Sequence, residues 1–257
     1  MKALMVNYYI LMKLHAKNYL KFPMNIFLKL IYIPVQMFMY FLLWRTLIPD
    51  GASDFRFMLA YYLLVCLLTQ AYPFVHIASG VMTDVMEGNI MSFMVRPVQY
   101  GMRALSKYSS WMMFYSIVFI PALIFVYIYM DLSLYRIALF IIFAVIGMLI
   151  EFICWYAVGL ASLFMERIKG LVITVLSIRM FVSGIIIPLT FFPDNIRSIA
   201  YFFPFRFYIF VPVNLLLSGW NNYWFDLALA IMWLVLLYLL SRMLWAFGVK
   251  RLGGAMS

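Results

Sequence analysis

Two ionisable residues stand where they cost most. Glu151 and Arg179 each fall in the middle of a long apolar run, and a charge at such depth is expected to pair or to line a wet cavity. They are natural partners for each other. A short turn from Met165 to Gly170 joins the two runs. At about 1.5 Å per residue, Glu151 then lies about 21 Å and Arg179 about 14 Å above that turn on antiparallel neighbours, a gap that a long arginine side chain largely closes. Two roles fit: a pair that lines a path through the membrane and switches partners, or a structural clamp between adjacent helices.

Other chemistry is scarce. The histidines are His15 and His76, with no HExxH and no Cys/His cluster, so zinc lacks ligands. His76 reads as a helix-end hydrogen-bonding residue. Cys66 and Cys154 lie inside apolar runs without a CxxC pair, which marks them as core residues. There is no GxxxxGK[ST] loop and no glycine followed by lysine, so the chain cannot cradle nucleotide phosphates in that way, and any ATP must be bound by another chain. No GxSxG elbow supports a serine nucleophile. Neither catalysis nor a cofactor of its own is expected of this polypeptide.

The elements that must position the pair follow from composition. Of 257 residues, 68% are hydrophobic and 11% charged, against about 45–50% and about 25% in soluble domains. That excludes a soluble globule and a disordered chain and predicts an all-α membrane protein. A span needs about 20 apolar residues, and six can be placed, at 25–47, 57–79, 111–130, 137–165, 171–188 and 225–246, in one transmembrane domain covering 1–257. Lysine and arginine are retained on the cytoplasmic side of short loops. With the N-terminus inside, that side collects Lys2, Lys13, Lys17, Lys21, Arg96, Arg103, Lys107, Arg167, Lys169, Arg242, Lys250 and Arg251 against Asp84, Glu87 and Glu166. The other side balances Arg45, Arg56, Arg136, Arg197 and Arg206 with Asp50, Asp54, Asp131, Asp194 and Asp226. Both termini are therefore expected in the cytoplasm. The net charge of +10 belongs to span ends that meet anionic lipid, not to a nucleic-acid footprint. Trp44, Trp111, Trp220, Trp224 and Trp245 fall at or near span ends, as an interfacial belt requires. The interrupted start of the chain is not a signal peptide, so insertion is expected to use the first span.

Three connections carry further pattern. Residues 1–24 place Lys13, Lys17 and Lys21 on one side of a helix and Leu4, Tyr8, Leu11 and His15 on the other, which predicts an amphipathic helix along the inner surface. The inner connection 80–110 reads as a short helix stopped at Gly88 and an extended Arg96-Pro97 exit. Val81, Val85 and Met86 are expected to face the membrane or a partner groove, with Asp84 and Glu87 exposed, a form suited to docking on a cytoplasmic subunit. The outer connection 189–224 and its approach hold Gly184, Pro188, Phe192, Pro193, Pro204, Phe205 and Pro212. Proline at this density prevents one continuous helix, yet the apolar content forbids a simple solvated loop. Short re-entrant helices dipping into the outer leaflet satisfy both constraints, provided protein or a water-lined cavity covers them.

In combination these features resemble the permease subunit of type-two ATP-binding-cassette exporters. The motifs are the inner amphipathic helix, the helix after the second span, Ser183-Gly184 with Pro188, Phe191-Phe192-Pro193 and Pro204-Phe205. Gly88 with Arg96-Pro97-Val98, and the ending Phe247-Gly248-Val249-Lys250-Arg251-Leu252-Gly253-Gly254, resemble the bacterial branch whose permeases often occur as paired, similar subunits. The resemblance implies a coupling helix within 81–95, centred on Asp84, Val85, Met86, Glu87 and Gly88, that contacts a separate cytoplasmic ATPase carrying the ATP and magnesium. It also implies outward re-entrant helices over 185–212, a second permease of the same or similar sequence, and a place in the bacterial cytoplasmic membrane. An ion-coupled secondary transporter, a lipid-modifying membrane enzyme and a membrane scaffold are the alternatives. The first predicts more buried carboxylates and inverted repeats, and the second a catalytic constellation.

Overall fold

The computed structural model describes residues 2–21, 23–47, 53–72, 75–93, 100–165, 167–219 and 223–254. Among them it is helical with no strand. The α-helices are α1 (Lys2–Leu20), α2 (Pro23–Leu47), α3 (Ser53–Ala71), α4 (Val75–Met86), α5 (Tyr100–Tyr129), α6 (Leu134–Leu160), α7 (Lys169–Val182), α8 (Asp194–Phe202), α9 (Phe210–Ser218) and α10 (Tyr223–Gly254). Short 3-10 turns occupy Asn89–Phe93, Ala161–Leu163, Leu189–Phe191 and Pro204–Phe207. Expectations at Arg96, Pro97, Val98, Glu166, Asp50 and Trp220 lie outside the described residues.

Among the described residues, four stretches are long and apolar enough to cross a bilayer: Phe55–Met86, Tyr100–Tyr129, Leu134–Leu163 and Tyr223–Arg251. Several boundaries differ from the sequence reading. The helix of the inner connection is α4, which begins at Val75 inside the expected second span, so one apolar stretch supplies both. The next helix starts at Tyr100, eleven residues before the expected span, because Arg103 and Lys107, one helical turn apart, form a basic end that composition alone assigns to a loop. The expected span 171–188 is instead α7, only 14 residues, or about 21 Å against a hydrocarbon core of about 30 Å. The apolar run continues, but Gly184 takes φ 81°, a left-handed conformation that ends helices at little cost for glycine.

Two compact units divide the chain. The first takes 1–72, 106–142 and 211–221. Its core is α3, where Tyr61, Tyr62, Leu64, Val65, Cys66, Leu67 and Leu68 are buried. Tyr62 stacks on Tyr40 of α2 at 4.0 Å. Trp111, expected at a span end, is instead buried well inside α5 and donates to the Gln70 carbonyl at 2.9 Å. In α1, Tyr8 and Ser109 share a hydrogen bond of 2.6 Å, and Ser110 donates to the Met12 carbonyl. Lys13 and Lys17 lie exposed, and Leu11 and His15 half-buried.

The second unit takes 73–105, 143–210 and 222–257. Missing side chains set its close approaches. A Cβ on Gly147 of α6 would lie 2.1 Å from the Phe207 carbonyl oxygen, and one on Gly159 would lie 2.8 Å from the Val81 Cβ of α4. Small residues at such crossings let backbones meet. Gly147 faces main chain that cannot rotate away, so Gly147→Ala should lower stability by about 1–3 kcal/mol. That should appear as an earlier thermal unfolding midpoint in detergent. Gly170→Ala, where an added methyl meets nothing within 4 Å, should leave the midpoint unchanged.

Candidate functional site

The tip of α4 is built by burying one side of the helix and leaving its end free. Ile77, Ala78 and Val81 are buried, Val81 against Gly159, and α4 ends at Met86. Glu87 closes the last turn through its N–H to the Thr83 carbonyl at 2.9 Å, and Gly88 then takes φ 71°. Met86 is 71% exposed. Glu87 is exposed and accepts from Asn89 Nδ2 at 2.8 Å. Val85 is half-buried.

Two expectations at this tip are corrected. Asp84 is not on the exposed side: it is half-buried and accepts a hydrogen bond from the Tyr100 hydroxyl at 2.6 Å. Tyr100 in turn stacks on Trp245 at 5.8 Å and approaches Tyr156 at 6.2 Å. Val81 faces neither lipid nor a partner groove, because the absent side chain of Gly159 makes room for it. His76 sits exposed in the first turn of α4, its carbonyl accepting from Ser79.

Deep in the same unit Glu151 and Arg179 meet, with Arg179 Nε donating to Glu151 Oε1. Glu151 is fully buried and Arg179 nearly so. Trp155, one helical turn along α6, donates to the same oxygen at 2.9 Å. The guanidinium carbon of Arg179 stands 4.4 Å from the centre of the Tyr208 ring, within cation–π range. Glu151 Oε2 has no hydrogen-bond partner among the described residues.

A second buried pair has no counterpart in the sequence reading, which counted Arg206 and Asp226 only in the charge balance of the outer side. Arg206 Nη2 donates to Asp226 Oδ1, with the two residues 2% and 3% exposed. The guanidinium also lies 4.7 Å from the Phe207 ring and 5.1 Å from the Tyr201 ring. The signal available was Arg206 between Phe205 and Phe207 and Asp226 at the start of an apolar helix, two charges with no polar neighbours. Tyr208 was missed because an aromatic residue among many gives no sign of carrying a cation.

These pairs hold the proline-rich segment. Gly184 turns the chain out of α7, Pro188 is buried, and Phe192 and Pro193 lead into α8. Pro204 and Phe205 are buried at the next 3-10 turn. The Phe210 N–H donates to the Ser183 carbonyl at 3.1 Å, and Trp233 of α10 donates to the Phe202 carbonyl at 2.8 Å. Ile196, Ile199 and Phe202 of α8 remain exposed. The segment is thus anchored to α6, α7 and α10 while presenting apolar surface on α8.

Described residues that are helical without a strand, with four stretches long and apolar enough to cross a bilayer, mark a multi-pass membrane protein. Residues 30–255 match the family described as ABC-2 family transporter protein, and the chain belongs to that family. It is a permease, the membrane component of an ABC transporter. No match was found among curated proteins.

Removing one partner of a buried pair leaves an uncompensated charge, at a cost of about 3–5 kcal/mol, whereas replacing both by apolar residues of similar volume is close to neutral. Arg179→Met should therefore sharply lower the unfolding midpoint in detergent. Glu151→Leu added to it should restore much of the loss.

Proposed function

We infer that this chain is one permease of a dimeric ATP-driven exporter in the bacterial cytoplasmic membrane, with both termini inside. The single domain of 1–257 crosses six times. To the four apolar stretches it adds α2, 25 residues long, and α7 together with the chain that follows it. Helix α1 lies on the inner surface. The broken segment around Gly184, Pro188, Phe192, Pro193, Pro204 and Phe205 re-enters the outer leaflet, and cargo leaves past it. A second permease of the same or similar sequence completes the path, and a cytoplasmic ATPase holds ATP and magnesium.

The observation that carries this reading is the α4 tip. An ATPase can bias the permease only through contacts that differ between its two states. Such a contact needs an exposed end on a helix firmly joined to a span, and α4 offers Met86 and Glu87 at its end with Val81 seated on Gly159 of α6. Asp84, held by Tyr100, and half-buried Val85 position that end, and Gly88 turns the chain away from it. The family match over 30–255 supports the same assignment.

Purification with native partners and mass identification of every subunit should find a soluble ATPase that stays bound in mild detergent. Glu87→Lys with Met86→Asp should cut transport by roughly 5- to 150-fold, the range of one coupling free energy, while ATP hydrolysis continues. Unchanged coupling would move the contact elsewhere. If the chain reconstituted alone drives a solute uphill on a proton or sodium gradient, the ATP-driven reading fails. Glu151→Gln keeps an acceptor for Trp155 but leaves the Arg179 charge uncompensated, so the variant should be destabilised and its export, measured per folded molecule, altered; normal export per folded molecule would leave the Glu151–Arg179 pair a clamp only.

A further inference from the structure

Among α2, α3 and α5, within the first unit, lies an apolar cavity of about 460 Å³ open along one side. Ala60, small and buried, forms part of its lining, together with Pro34, Phe41, Leu63, Phe125 and Tyr129. Phe125 and Phe38 stand more than half exposed at its rim. Apart from the Tyr129 hydroxyl, the side chains around it are hydrocarbon or thioether, so water gains few hydrogen bonds there. A flexible hydrocarbon chain loses nothing by entering.

Two arginines adjoin aromatic residues of the lining. Arg56, near the start of α3, donates to the carbonyl of Tyr129, the last residue of α5, at 3.1 Å, and its guanidinium carbon stands 4.8 Å from the Tyr129 ring centre. Arg45, in the last turn of α2, approaches the Phe41 ring at 6.0 Å. Each arginine is thus stacked on an aromatic residue that lines the cavity. Both are exposed, and neither enters an ion pair among the described residues. Arginine at a membrane interface is the usual partner of a phosphate oxyanion.

We propose that this cavity is a binding site for an anionic phospholipid, with one acyl chain between Pro34, Ala60 and Phe125 and the phosphate at Arg56 and Arg45. Charge complementarity favours this occupant: an uncharged amphiphile would leave both arginines without a counter-charge. The site requires only that the chain span a bilayer, so it stands apart from the ATP-driven reading.

The test is photolabelling of the protein with its native partners in vesicles. One set contains phosphatidylglycerol bearing a photoreactive acyl chain, and a parallel set contains phosphatidylcholine with the same chain. Labelled peptides are mapped by mass spectrometry. Phosphatidylglycerol should label 34–41, 59–63 and 125–129 well above phosphatidylcholine. Arg56→Gln and Arg45→Gln should each lower that labelling roughly fivefold, as expected for one interfacial cation. Ala60→Phe, which fills the cavity, should abolish it, with labelling of the exposed α10 face at 231–239 unchanged. The two arginine variants are surface changes, so the result does not depend on the folding of Ala60→Phe. Equal labelling by both lipids, labelling undiminished in the arginine variants, or no labelling of these peptides by either lipid, as a second permease seated there would give, would overturn the proposal.

Discussion

Charge that must be neutralised out of reach of water governs this structure. Glu151, Arg179, Arg206 and Asp226 are buried in a protein whose surroundings are hydrocarbon, and each ion is tolerable only because a partner of opposite sign lies against it. Arg206 and Tyr208 are two residues apart, yet one answers to α10 through Asp226 and the other to the α6–α7 pair through Arg179. A segment that proline prevents from forming one helix acquires its fixed course from these contacts. The close approach at Gly147 and the hydrogen bond from Phe210 to Ser183 then follow the same path.

The tip of α4 follows a different logic. Burial of Ile77, Ala78 and Val81 fixes the helix to the second unit, and Gly88 ends it before the chain can continue in line. What remains free is two side chains, one apolar and one acidic. Asp84, with its hydrogen bond to Tyr100, and exposed Glu87 just past the helix end show that acidic residues three positions apart can have unlike surroundings. A helix joined on one side and bare at its end is a rigid element with an accessible tip.

Composition and hydropathy made the fold class legible, because no other environment accepts so many apolar side chains. Long runs such as α2 and α6 were legible within about five residues for the same reason, whereas α10 continues to Gly254, past the expected end at 246. The break at Gly184 was visible as a residue but not as a helix end, since the apolar run passes through it and only the left-handed φ reveals the stop. Pairing of Glu151 with Arg179 could be read because the turn between their helices is short. Arg206 and Asp226 are separated by α9 and a connection that together erase any periodic signal, and each looked like an ordinary charge near a span end. Asp84 was misplaced because helical spacing says which side a residue occupies, not what another helix brings to that side.

Asp226 lies at the start of the last helix, twenty residues after the arginine it neutralises. While the chain is being made, Arg206 emerges first and has no counter-ion until α10 arrives. The ion pair that this segment makes with α10 can therefore form only once the final helix is in place. Assembly of this unit has a built-in order, with completion reported from the end of the chain back to its middle.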